Sequence, residues 1–113
     1  MQEKRHKIAK GDIFIVNNTD ANGHEQKGVR PHVVVTQVTG STVTVAPCTT
    51  STIVRKYSVL LLPDAQNHLH RKSYVLIAQA FAADVSFLGE KIGHLDTEDI
   101  LRIQLEYVKY VTD

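Results

Sequence analysis

The sequence predicts a mainly β domain closed by a C-terminal helix, and three observations carry that expectation. Short runs of β-branched and aromatic residues alternate with clusters of Asn, Asp, Gly, Thr and Pro, the punctuation of a sheet built from short strands. Two of the runs are joined by so short a turn that they read as an antiparallel hairpin. The last stretch, Thr97 to Val111, holds neither glycine nor proline and follows an aspartate, as a capped helix does.

Gly11 and Asp12 open Ile13-Phe14-Ile15-Val16, a continuous apolar run that suits a strand covered on both faces. Asn17 to Gly23 stops it with residues that tolerate positive φ or bond their own backbone. The stretch Gly23-His24-Glu25-Gln26-Lys27-Gly28-Val29-Arg30-Pro31 follows, gathering an imidazole, a carboxylate, an amide and a guanidinium in one glycine-punctuated loop. Loops of that kind carry function when a rigid scaffold presents them to solvent. Pro31 fixes its own φ and pushes Arg30 toward an extended backbone, so the arginine is expected at the edge of a strand running from His32 to Val38. After the turn Thr39-Gly40-Ser41, Thr42-Val43-Thr44-Val45 alternates with period two, as a strand with one wet face does. Pro47, with no amide hydrogen, is expected to end that ladder. The hairpin then brings the hydroxyls of Thr49, Thr50 and Ser51 back toward Pro31, which makes Arg30 their neighbour across the sheet.

Ser58 to Leu62 reads as a strand and Pro63 to Asn67 as its turn. His68-Leu69-His70 is expected to place two imidazoles on one face of a strand. Ser73 to Ala83 is a long apolar segment, read as strand on the strength of Tyr74, Val75 and Ile77. Its one strongly polar member, Gln79, must find partners if buried, or else sit beneath a site. In the terminal helix Asp96 is the N-cap, and Glu98 and Asp99 suit the positive end of the dipole. Its apolar residues spread over more than half the circumference, more than one small sheet can cover. Part of this helix is therefore expected to pack against a second copy of the chain, giving a homodimer.

A chain of 113 residues is the length of one domain, taken as 1–113 with a basic extension from Met1 to Lys10. With 42% hydrophobic and 22% charged residues the composition is globular, not that of a disordered chain. Cys48 is the one cysteine, so no intrachain disulfide forms, and a reducing cytoplasm is the expected location. No run approaches the roughly 20 apolar residues that cross a bilayer, and no membrane partner is expected. A net charge of +1 supplies no whole-molecule field for nucleic acid, so any such site is local. Lys4, Arg5, Lys7 and Lys10, and later Arg55, Lys56, Arg71 and Lys72, are the basic clusters available for phosphates.

Metal-ligand spacings such as C-x-x-C and H-E-x-x-H are missing, as is a phosphate-cradling glycine loop; neither a metal nor a cofactor is expected. Cys48, between Pro47 and Thr49, reads as a small packed residue and not as a nucleophile. What remains is phosphodiester chemistry without a metal; if the substrate is RNA, its own 2′-hydroxyl supplies the nucleophile. Arg30 offers a bidentate fork to phosphate oxygens, Thr49 with Thr50 or Ser51 offers hydrogen bonds, and His24 or Glu25 moves protons.

Five motifs carry a family resemblance: G-D-I-F at Gly11, G-H-E-Q-K-G-V-R-P at Gly23, V-A-P-C-T-T-S at Val45, L-I-A-Q at Leu76 and K-I-G-H-L-D at Lys91. From about Lys10 to the C-terminus the chain resembles the MazF/PemK toxins of bacterial toxin-antitoxin pairs. The resemblance implies an SH3-like barrel of the MazF/PemK/CcdB kind and a homodimer. It also implies metal-independent, sequence-specific cleavage of single-stranded RNA to a 2′,3′-cyclic phosphate and a 5′-hydroxyl, and inhibition by a cognate antitoxin. Carried over by motif, the arginine before proline falls on Arg30, the catalytic threonine on Thr49 and a proton-transferring histidine on His24. Glu25, Gln26 and Lys27, together with Thr50, Ser51 and Gln79, fall on the RNA-binding surface. The chain departs from the pattern at Leu76, Ala78 and Phe81, where many relatives carry arginine, an acid and a basic residue. The alternative those departures raise is a catalytically impaired relative that binds a protein such as gyrase or an antitoxin.

Overall fold

The computed structural model of the chain describes residues 8–18, 28–53 and 55–113. Its strands are β1 (Asp12–Asn18), β2 (Gly28–Val34), β3 (Thr42–Thr49), β4 (Ser58–Leu61), β5 (Ser73–Leu76), β6 (Phe81–Asp84) and β7 (Lys91–His94), followed by the helix α1 (Thr97–Thr112). They form one curled sheet in the order β4-β5-β3-β2-β1-β7, with β6 also on β3, and every pairing is antiparallel. The mainly β fold with a C-terminal helix expected from the sequence is the architecture found, its sheet curled into a half-barrel.

The continuous apolar run of β1 reflects cover on both faces. Ile13 points with Val33, Ala46 and Val75 into one cluster, which Ile103 of the helix helps to close, while Phe14 and Val16 join Val34, Val45 and Val85 on the other side. Successive strand residues alternate between faces, so a strand buried twice shows no polar alternation. β3 shows the contrast at its start, where Val43 and Val45 are buried and Thr42 is exposed.

Both strand prolines sit where no donor is missed. Pro31 lies opposite Ile15, whose amide and carbonyl are taken on the other flank by Glu90 and Gly89, both at 2.8 Å. Pro47 does not end its ladder as expected: β3 runs two residues further, and Pro47 pairs with His32. On its other edge β3 pairs with β6 up to Val45 and with β5 from Cys48, so Pro47 falls in the gap between partners.

That gap also breaks the apolar segment read as one strand. β5 and β6 follow the same edge of β3, interrupted by a 3₁₀ turn at Ile77–Gln79. There the Ile77 amide donates to the Tyr57 carbonyl at 2.9 Å and the Ala80 amide closes on Ile77 at 3.0 Å, bonds local to the kink. β2 begins four residues earlier than expected because Gly28 to Pro31 pair with β1. His68 and His70 lie in the loop between β4 and β5, not on a strand, and His68 takes a left-handed backbone at φ 54° with its Nδ1 2.6 Å from the Ile92 carbonyl. β7 was read only as a motif. Its Gly93 is required, since a Cβ there would overlap the main-chain carbonyl of Asn67.

Asp96 caps α1 by accepting from the Asp99 amide at 2.8 Å. Ile100, Ile103 and Tyr107 pack on the sheet, whereas Leu101, Leu105, Val108 and Val111 are each more than half exposed. Among the described residues no helix is long and apolar enough to cross a membrane.

Candidate active site

The β2–β3 register pairs Val33 with Ala46 and His32 with Pro47, and Arg30 and Thr49 each lie two residues beyond that last pair. Arg30 Nη1 donates to the Cys48 carbonyl at 3.4 Å, immediately beside Thr49. The hairpin therefore sets the arginine against the main chain of the residue that precedes the threonine. Arg30, His32 and Thr49 share one face of the sheet, because Gly28, Arg30 and His32 alternate with Val29 and Pro31.

Thr49 is buried, and its Oγ1 accepts from the Ser51 amide at 3.1 Å; Ser51 Oγ in turn accepts from the Ile53 amide at 3.3 Å. These two hydroxyl-capped turns carry the chain out of β3 and leave Thr50 exposed and Ser51 half-buried. Thr49 keeps its own hydroxyl hydrogen to donate. Cys48 faces the opposite cluster, where burial pushes its thiol up to about 12 against a weaker downward pull from Arg30. It stays protonated at neutral pH and is no nucleophile.

Gln79 ends the 3₁₀ turn half-buried, with its Oε1 enclosed and lacking a hydrogen-bond partner among the described residues; Arg55 Nη1 is in the same state. Ala78 is exposed and brings no functional group. Phe81 is spent on packing, its ring edge-on to His32 at 5.8 Å and 86°. His24, Glu25, Gln26 and Lys27 lie outside the described residues.

His32 is the residue that sequence reasoning misses, since it enters there only as the start of a strand. It is fully buried, with Nδ1 3.0 Å from the Arg30 carbonyl. The available signal was a polar residue heading the apolar run after Arg30-Pro31. Burial holds its imidazole below the ordinary value of 6.5, opposed by the bond to the Arg30 carbonyl and reinforced by the Arg30 charge. The sign follows directly. Below pH 6.5 the unfolded chain takes up a proton that the folded one resists, so this contribution to stability is complete above 6.5 and is lost as pH falls through the lower folded value. Urea unfolding of the wild type is expected to weaken over that window, and His32→Leu is expected to flatten this part of the slope; an unchanged slope would contradict it.

A separate cavity of about 490 Å³ lies between β1, β2, the His68–His70 loop and β7. Val29, Pro31, Leu69 and Ile92 form its apolar wall and Arg30 also borders it. Three carboxylates, Asp64, Asp96 and Asp99, come within 4.8 Å of one another. Each already has structural work: Asp64 accepts from the Gln66 and Asn67 amides, Asp96 caps α1, and Asp99 pairs with Arg102.

Comparison with known proteins agrees with this architecture. The profile of the family described as "PemK-like, MazF-like toxin of type II toxin-antitoxin system" matches residues 9–107. Endoribonuclease EndoA of Bacillus subtilis (strain 168) is 31% identical over 96 residues, covering 80% of this chain and 83% of the relative. Among solved structures, MazF (Form-I) from Deinococcus radiodurans superposes with a TM-score of 0.77 at 21% identity, over 94% of this chain and 97% of that one. A mycobacterial endoribonuclease solved in complex with its cognate antitoxin gives 0.71 at 14% identity, over 92% and 94%. At these identities the two structures speak for the fold, and the profile and the Bacillus relative speak for descent. The chain belongs to the PemK-like, MazF-like toxins of type II toxin-antitoxin systems.

Proposed function

We propose that the protein is a homodimeric toxin endoribonuclease that cuts single-stranded RNA at specific sequences without a metal and is silenced by a cognate antitoxin. The observation that carries this reading is the Arg30 guanidinium on the Cys48 carbonyl, one residue from Thr49, at the end of the β2–β3 hairpin. The activity named for the Bacillus relative and the antitoxin bound to the mycobacterial one support it. In the proposed reaction the 2′-hydroxyl of the substrate attacks the adjacent phosphorus, and the bond to the 5′-oxygen breaks. The products are a 2′,3′-cyclic phosphate and a 5′-hydroxyl. The Arg30 fork holds the non-bridging oxygens as charge gathers on them, Thr49 donates a hydrogen bond, and His24 moves a proton. Thr50, Ser51 and Gln79, with Glu25, Gln26 and Lys27, bind the flanking RNA. Incubating purified protein with single-stranded RNA in EDTA and sequencing the fragment ends tests the reading. Cuts at a defined sequence with 5′-hydroxyl ends are expected; intact RNA, or cutting that needs a divalent ion, would refute it.

The exposed stripe Leu101, Leu105 and Val108 on α1 is the proposed dimer contact. Leu105→Glu places a charge in that contact and is expected to convert a dimer to monomers in light scattering, without unfolding the chain, because the side chain is 62% exposed. A dimer that persists would move the interface elsewhere.

A second reading has an observation of its own. With Ala78 bare and Phe81 packed on His32, neither position supplies a proton-transfer group, as in a relative that acts by binding a protein. Growth arrest with uncut RNA would favour it.

A further inference from the structure

We propose that His32 is a positioning residue, clamping the main chain of Arg30 so that its guanidinium stands ready beside Thr49; the role rests on the ribonuclease reading above. The Arg30 carbonyl 3.0 Å from Nδ1 can only accept, so Nδ1 carries the hydrogen. In the neutral ring Nε2 is then a bare lone pair, and it is buried with no partner among the described residues. A residue that only filled the core would avoid this. Val33 and Val34, the next two positions, do so with plain hydrocarbon. What His32 adds over them is the Nδ1–H bond.

The bond spans Pro31, whose ring already restricts φ, so Arg30-Pro31-His32 is held at both ends. Phe14 across β1, Pro47 across β3 and the edge-on ring of Phe81 leave the imidazole nowhere to swing. From that fixed backbone the Arg30 side chain reaches the Cys48 carbonyl at 3.4 Å, one residue from Thr49. A phosphate-binding fork must meet charge that develops in the transition state, so a small displacement of its base costs turnover more than binding. The aromatic ring at position 81 belongs to the same device, because it is the wall against which His32 is set.

Two variants separate the clamp from mere packing. His32→Leu fills the space with neither nitrogen, while His32→Asn keeps an N–H close to where Nδ1 stood. His32→Leu is expected to lower kcat about tenfold with KM changed less than about twofold, and His32→Asn to recover most of the loss. Nitrogen-15 NMR of the intact chain supplies a readout that needs no cleavage. It is expected to show the neutral Nδ1–H tautomer, with the Arg30 Nε–H resonance displaced in His32→Leu and restored in His32→Asn. Wild-type kcat in His32→Leu, or an Nε2–H tautomer in the wild type, would overturn the proposal. If His32→Leu fails to fold, the tautomer and the asparagine variant decide it. If the wild type cuts no RNA, the ribonuclease reading falls by itself and the two NMR signals still judge the clamp.

Discussion

Arg30→Ala is expected to lower RNA cleavage by about 100- to 1,000-fold while the chain stays folded, an effect of the size seen when one donor to a developing oxyanion is removed. The side chain is half-buried at the end of a strand pair and donates to the Cys48 main-chain carbonyl at 3.4 Å. Removing it opens no cavity in either apolar cluster, so stability is expected to move little. On the proposed mechanism the fall should appear in kcat, because a fork placed for the transition-state phosphate binds it better than the ground state. Arg30→Lys keeps the charge without the planar fork and is expected to restore only part of the rate. Thr49→Ala should fall alongside it, whereas Thr49→Ser keeps both the hydroxyl donor and the acceptor for the Ser51 amide and should retain most activity. Single-turnover cleavage in EDTA reads all four variants, and full rates in Arg30→Ala and Thr49→Ala together would dissolve the site.

Asn67→Ala carries the largest stability effect, a loss of about 3 kcal/mol or more. Asn67 is fully buried, and its side chain serves three main-chain groups at once. Oδ1 accepts from the Asp64 amide at 3.1 Å and the Leu69 amide at 2.9 Å, and Nδ2 donates to the Leu62 carbonyl at 2.9 Å. Alanine strands all three; the Leu69 amide is buried, where an unmade bond costs about 1–3 kcal/mol, and the Asp64 amide and Leu62 carbonyl are part-buried and add less each. The consequence reaches beyond the loop. The neighbouring Gln66 carbonyl accepts the His94 amide at 3.1 Å, and the Asn67 carbonyl lies against Gly93, so the same turn holds β7 in place. Urea denaturation measures the loss; a change below about 1 kcal/mol would show that water replaces the amide at little cost.

What was legible in the sequence was what near neighbours decide. Ile13 to Val16 announced a strand covered on both faces, Asp96 announced the helix start, and Pro31 announced that Arg30 would be presented on extended backbone. The approach of Arg30 to the end of β3 was legible too, because a hairpin returns its second strand alongside the first, although the register shifts by two residues between the Thr39–Thr42 turn and the β2–β3 ladder. The Asn67 turn was visible as a turn, yet nothing local said that its amide would be sealed under β7.

The misplaced features share one cause. Pro47 was read as a terminator because a proline has no donor, and it continues the strand because β3 changes partners at that point on its other edge. Ser73 to Ala83 reads as one strand because its composition is uniform, and it breaks at Ile77–Gln79, where the Ala80 amide closes a 3₁₀ turn on the Ile77 carbonyl between the segments that pair with β3. His32 was passed over because its meaning comes from a ring on β6 and from enclosure by two other strands. By itself the sequence determined the strand runs, the capped helix and the hairpin that brings Arg30 to Thr49, since backbone preference and hydrophobic period act over a few residues. Only the tertiary structure decided where β3 changes partner, what β7 leans on and why the imidazole beneath Arg30 stays neutral, since burial and pairing depend on groups that the chain brings together last.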